Sequence, residues 1–353
     1  MPMKNNFFLK LIPFTAGLLA IVYFMTLYLL PREKPSLPDD VFPDEPEILS
    51  SRQDGFYREP KNSLDVVFIG SSSIFCDINP NILWDTYGIT SYNFTSQQQE
   101  LGTSYYYLEQ MFENQSPKLA VIEVMLDGHE EEIDTIQAHY AFDSMKNDIH
   151  KFRAIRNRTK DARLELFLPL IAHHERWKTI TSQTLKYRPG QFNLLKGAFI
   201  HFNHTLKETI TVPEDLTAEP LHEKTIFWLD SIRKLCEKNN CICLFVKMPL
   251  AFYNESYAYF QAVEEYCSTN GLPFLFLNKN AEEIGLDFAE DFADQLHLNW
   301  KGQVKISLFM GEYIQKHYQI QNKKGDPNYS RWDQDYAAMM GWVNAYLEQH
   351  PIE

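Results

Sequence analysis

Four short apolar runs constrain this chain more than any other feature: 64–70 (LDVVFIG), 118–125 (KLAVIEVM), 241–248 (CICLFVKM) and 273–277 (PFLFL). Each is too short for a helix and lacks the apolar–polar alternation of a strand with one wet face, so each reads as a strand buried on both sides. Residues 91–95 (SYNFT) add a further candidate strand. Between the runs lie stretches of helical character, near 103–112, 222–238, 257–268 and 301–316. The stretch 222–238 carries Ile226, Leu229, Ile232 and Leu235 on one face. Strands separated by helices predict an α/β fold, a parallel sheet covered by helices on both faces. Such sheets bind ligands at the C-terminal ends of their strands, so the chemistry is expected just after each run.

Charge and motifs narrow the function. The 353 residues carry 33 Lys+Arg against 47 Asp+Glu, a formal net charge of −14, which disfavours a nucleic-acid backbone as the main partner. Glycine-rich phosphate-binding patterns are absent, which disfavours a nucleotide enzyme. Five cysteines (Cys76, Cys236, Cys241, Cys243 and Cys267) are too few for a disulfide scaffold; the Cys236–Cys241 spacing permits a small loop. No His/Cys pair matches Cys241 and Cys243, so neither a metal site nor a cofactor is expected. Residues 128–221 form an insertion between the third and fourth strands. Its segment 145–190 has eleven Lys/Arg and four Asp/Glu, a net of +7 in an otherwise acidic chain. That reversal suits an anionic ligand or, equally, a solvated helical face.

The two ends are of different character. Residues 11–30 (LIPFTAGLLAIVYFMTLYLL) hold no charge, and twenty helical residues span about 30 Å, the thickness of a bilayer core. Lys4 and Lys10 precede the run and acidic residues follow it, which predicts a cytoplasmic segment 1–10, a transmembrane anchor at 11–30 and an extracytoplasmic remainder. The run exceeds a signal-peptide apolar region and lacks a small-x-small cleavage site. Six prolines fall within 31–60, which reads as an acidic stalk. The domain proper is expected over 61–320. Residues 321–353, with Trp332, Tyr336, Trp342 and Tyr346, read as a C-terminal helical extension packed on the domain or a partner.

Two places carry chemistry. The first run ends in Gly70-Ser71-Ser72-Ser73, where a glycine allows a sharp turn and a hydroxyl can project above the sheet edge. Serine needs a base to take its proton. Asp294-Gln-Leu-His297, just before the last helical stretch, supplies one, with Asp294 placed to hold Nδ1 and leave Nε2 for a serine.

A strand ending in Gly-x-Ser with Asp-x-x-His near the domain's end resembles the SGNH (GDSL-type) hydrolases. The stretches FIGSSSIFCDINPNIL, SYNFTSQQQELGTSYYYLEQMF, LPLIAHHERWKTI, LFVKMPLAFY and DQLHLNWKG are similar to a membrane-anchored Gram-positive subgroup. That subgroup includes relatives of the teichoic-acid D-alanyl transfer protein and of exopolysaccharide O-acetyltransferases. The resemblance implies a flavodoxin-like sheet, with Ser72 as nucleophile, His297 as base and Asp294 as its orienter. It implies acyl transfer, acetyl or D-alanyl, on a cell-envelope glycopolymer through an acyl-serine, with a multi-spanning membrane acyltransferase as partner. An esterase removing such groups uses the same residues, and a non-catalytic polymer-binding subunit is the third reading.

The chain departs from the family pattern in two places. The family's Gly-rich second block is replaced by Asn93-Phe-Thr-Ser-Gln97-Gln-Gln99, and its Gly-x-Asn-Asp by Glu123-Val-Met-Leu-Asp127. The usual oxyanion donors are therefore not both present. Beside the Ser72 N–H, the candidates for oxyanion or substrate contacts are Ser71, Asn93, Gln97 and Gln99. His174 and Arg176, with Trp177, suit a sugar or phosphate, or else ordinary packing and ion pairing. Lys247, after the fourth strand, suits an anionic group or a plain surface position.

Overall fold

The computed structural model describes residues 5–29, 55–125, 132–143, 145–161, 163–168, 170–171, 174–178, 194–203, 220–251 and 256–350. Five parallel strands, β1 (Val66–Ile69), β2 (Ser91–Asn93), β3 (Leu119–Glu123), β4 (Ile242–Lys247) and β5 (Phe274–Phe276), form one sheet in the order β2-β1-β3-β4-β5. This is the doubly wound order whose crevice lies above the C-terminal ends of β1 and β3. Every β1 side chain is buried, and alternate ones serve opposite cores. Val67 and Ile69 join one core, while Val66 and Phe68 join the other.

The helices follow from this two-sided burial. On one face pack α4 (Leu101–Asn114), α8 (Glu223–Lys238) and α9 (Ser256–Thr269), through Leu108, Met111, Leu229, Ile232, Phe260 and Val263. On the other pack α2 (Ser72–Asp77), α3 (Pro80–Tyr87) and α11 (Trp300–Tyr318), through Ile74, Leu83, Ile306 and Met310. Phe260 and Val263 of α9 and Ile306 and Met310 of α11 repeat at helical spacing, which explains their single buried stripes. The insertion contributes α5 (Thr135–Phe142), α6 (Ile149–Arg158) and α7 (Arg163–Phe167), and α10 (Ala281–Ile284) is one short turn after β5. Helix α12 (Ser330–Gln349) lies within the segment 321–353 and packs against α3. Trp332 and Trp342 are buried, and Trp84 Nε1 donates to Asp333 at 2.9 Å.

The domain starts earlier than residue 61. Phe56 is fully buried and stacks on Phe94 with ring centroids 4.0 Å apart. Glu59 accepts from buried Lys196 Nζ at 2.8 Å, and the same ammonium lies 3.0 Å from Asp335 of α12 and 4.5 Å from the Trp332 ring centroid. Residues 56–60, expected to belong to a stalk over 31–60, are thus part of the folded body, and residues 30–54 lie outside the described residues. At the N-terminus, residues Asn5–Leu29 form one helix, α1, with Ile12, Phe14, Leu19 and Phe24 exposed. Among the described residues no helix is long and apolar enough to cross a membrane, so the anchor expected at 11–30 is not found as a span.

Candidate active site

The site is built at the C-terminal edge of the sheet, where β1 turns into α2. Gly70 leaves the strand, and Ser71, extended at φ −90° and ψ −163°, caps α2, whose first residue is Ser72. A Cβ on Gly70 would stand 2.5 Å from Glu123 Cβ and 2.7 Å from Ile74, so only glycine fits between β3 and the helix. Opposite Ser72, the loop before α11 is pinned by a bridge between Phe292 and Leu298 and by the Ala293 N–H donating to the His297 carbonyl at 2.9 Å. Asn299 then caps α11 by accepting from the N–H groups of Lys301 and Gly302.

These two pieces bring together Ser72, His297 and Asp294. His297 Nε2 lies 2.8 Å from Ser72 Oγ, and His297 Nδ1 lies 3.0 and 2.9 Å from the two Asp294 carboxylate oxygens. The Asp294 carboxylate also accepts the backbone N–H groups of Leu296 at 2.7 Å and His297 at 3.0 Å, which fixes it beneath the ring. Partial burial pushes the Asp294 carboxyl up, but the hydrogen bonds from the His297 ring and the Leu296 N–H outweigh it and hold it below its ordinary value. A carboxylate kept ionised on Nδ1 sets the tautomer that frees Nε2 to take a proton from serine. Asp294 is half-exposed, its side chain 51% accessible, whereas His297 is 18% accessible.

The other expected contacts divide. Ser71 turns inward: its N–H and Oγ–H both donate to Glu123 Oε2, at 2.8 and 2.6 Å, so neither is available to an oxyanion. Lys247 is buried, with Nζ 3.0 Å from Glu123 Oε1, and offers no charge to a ligand. Asn93 is buried and donates to the Ile78 carbonyl at 2.8 Å, tying β2 to the loop after α2. Gln99 uses both ends of its amide within its own turn, accepting from Ser96 Oγ at 2.9 Å and donating to Ser104 Oγ at 3.1 Å. Gln97 is half-buried on that turn, which the Ser96 N–H ties to the Gly70 carbonyl, two residues before Ser72, at 3.3 Å. His174 and Trp177 are exposed, His174 Nδ1 lying 2.8 Å from the Ile171 carbonyl; the Arg176 side chain lies outside the described residues, as does Asp127. Among the described residues no cluster of His, Cys, Asp or Glu could hold a metal ion.

Three residues have roles that the sequence did not show. Glu123 is one, and its signal was a carboxylate inside an otherwise apolar strand, which must find a partner. Asp77 is another, at the end of α2: its Oδ1 accepts the Leu298 N–H at 2.8 Å and so joins the helix that begins at Ser72 to the residue beside His297. Burial pushes the Asp77 carboxyl well above its ordinary range, against the Leu298 hydrogen bond. The third is His201, whose ring centroid lies 5.8 Å from that of His297 and whose carbonyl accepts the Trp300 N–H at 2.7 Å. Burial, then the neighbouring charge of His297, lowers His201 to about 4. Nothing in the insertion's sequence marked it.

No protein-family model matches the chain, and no curated protein matches it either. Among solved structures, it is similar to a protein assigned as an acylhydrolase from Bacteroides fragilis NCTC 9343. The identity is 13% over 75% of this chain and 94% of the other, with a TM-score of 0.38. It is likewise similar to a protein assigned to the G-D-S-L family of lipolytic proteins from Desulfitobacterium hafniense DCB-2, at 11% identity over 70% and 97% of the two chains, with a TM-score of 0.37. Likenesses at this level carry no weight for the chemistry, which rests on the hydrogen-bonded series Asp294, His297 and Ser72 at the sheet's C-terminal edge.

Proposed function

We propose that this chain is a serine-dependent acyl-transfer enzyme of the SGNH type, moving an acetyl or D-alanyl group on a cell-envelope glycopolymer outside the membrane. The observation that carries the serine chemistry is the 2.8 Å contact between His297 Nε2 and Ser72 Oγ, with Asp294 on the far nitrogen. Ser72 Oγ attacks the acyl carbonyl while its proton passes to His297 Nε2. The Ser72 backbone N–H, with the Gln97 side chain as a second donor, faces the oxyanion. The imidazolium, steadied by Asp294, returns the proton to the leaving oxygen as the C–O bond breaks, leaving an acyl-serine. A polymer hydroxyl then gives its proton to His297 and takes the acyl group, restoring Ser72. The anchor read at 11–30, and a membrane acyltransferase that supplies the acyl group, belong to this proposal and derive from the sequence. Ser72 is partly exposed, so water can reach an acyl group carried on it, which favours a second reading, an esterase that removes the same groups.

The test is intact-mass labelling of the full chain with a fluorophosphonate. Wild type should gain one adduct, while Ser72→Ala and His297→Ala should fall by about 10⁴-fold or more in rate. Absence of labelling in folded wild type would overturn the serine mechanism.

A further inference from the structure

Directly behind the nucleophile lies a buried polar cluster that the proton relay does not use. Ser71, Glu123 and Lys247 end the adjacent strands β1, β3 and β4 or follow them by two residues, and all three are buried. One oxygen of Glu123 takes both donors of Ser71, and the other takes the Lys247 ammonium at 3.0 Å. Lys247 in turn lies 5.1 Å from the Phe260 ring centroid. Ser71 Oγ also accepts the Ser73 N–H at 3.3 Å, so Ser72 is bracketed by fixed bonds on both sides.

An ion pair buried this completely is a poor source of stability, because desolvating both charges offsets their attraction. What it does supply is directional. Charge-assisted bonds to the Ser71 N–H and O–H fix the peptide planes on which Ser72 is carried. We infer that Glu123, held by Lys247, is a positioning residue: it grips Ser71 so that Ser72 Oγ stays within hydrogen-bond reach of His297. The same grip assigns the three serines of the turn, since Ser71 is committed as a donor to Glu123 and Ser72 alone faces the base. A displacement of about 1 Å at a nucleophile can cost about 100-fold in rate, which is the scale on which this grip acts.

The inference rests on the serine mechanism proposed above, and its test separates the two. The full chain is labelled with the same fluorophosphonate, and fold is followed by circular dichroism and thermal unfolding. Glu123→Met with Lys247→Met removes both charges together, so that neither is left buried alone; it should fold yet label about 100-fold more slowly. Glu123→Gln with Lys247→Met restores one acceptor oxygen to Ser71 and should recover about tenfold, roughly the value of one buried hydrogen bond. Ser71→Ala should slow labelling about tenfold in wild type and by clearly less in the Met/Met background, where the Glu123 partner is already gone and only the bond from the Ser73 N–H is lost. Ser71→Ala leaves the ion pair intact, so it keeps the test decisive should the Met/Met variant not fold. Wild-type rates in Ser71→Ala, or no recovery on restoring the Gln oxygen in a folded protein, would overturn the positioning role. Failure of wild type to label would instead overturn the serine mechanism itself.

Discussion

Asp77 offers a stability experiment whose sign can be worked out from its surroundings. Its carboxyl is fully buried, one oxygen accepts the Leu298 N–H, and the other has no partner among the described residues. Burial raises it, the Leu298 bond opposes the rise, and the charge of Glu123 adds to it. The folded protein therefore keeps a proton on Asp77 that the unfolded chain sheds at about pH 3.9. Between that pH and the raised folded value the native state binds one more proton than the unfolded state, so stability falls as pH rises. The slope for one proton is roughly 1.4 kcal/mol per pH unit for as long as the pH stays below the raised folded value. Asp77→Asn keeps an acceptor for Leu298 and cannot ionise. Its advantage over wild type should be small near pH 4 and widen as the pH rises towards the raised folded value. Urea unfolding of the full chain at half-unit intervals, followed by tryptophan fluorescence, measures this directly. A wild-type minus variant difference that stays level across that range would refute the claim that Asp77 is buried and neutral.

Two further outcomes follow from the geometry. Asp294→Asn leaves a side chain of the same shape but removes the carboxylate that sets the His297 tautomer; fluorophosphonate labelling should drop by about 10³ to 10⁴-fold with thermal stability little changed. Gly70→Ala drives a methyl group to 2.5 Å from the Glu123 Cβ. It should cost about 1 to 3 kcal/mol in unfolding free energy and slow labelling as well, because the strand-to-helix turn must shift to admit it.

The sheet was legible because a strand buried on both faces is mostly apolar, and the runs that become β1, β3, β4 and β5 are so but for Glu123 and Lys247 at the ends of β3 and β4. Helices α2 and α3 were not foreseen, since the segment from Ser72 to Tyr87 carries its apolar residues in two short turns separated by Pro80. Ser72, Asp294 and His297 could be picked out because their chemistry depends on local features, a turn after a strand and a three-residue spacing. Lys247 could not be placed, because whether an ammonium at a strand end meets water or a carboxylate depends on which strand lies alongside. The same holds for Ser71, Asn93 and Gln99, whose polar atoms face partners 52, 15 and 3 to 5 residues away. A glutamine spent on its own turn and one poised near an oxyanion are indistinguishable as letters. The pairing register of β1 with β3 is what turns Glu123 from a departure into a partner for Ser71.

The Lys196 ammonium, shared by Glu59, Asp335 and the Trp332 ring, has a consequence for how this domain could be detached from its N-terminal segment. A protease acting upstream of residue 55 would release a body with Phe56 still seated on Phe94 and the Lys196 charge still matched on both sides. A cut only a few residues later, between Pro60 and Lys61, would carry away the aromatic plug and one of the two carboxylates together. Removing α12 would take the other carboxylate. The shortest body that keeps Phe56 on Phe94 and both carboxylates on Lys196 therefore begins no later than Phe56 and runs through α12.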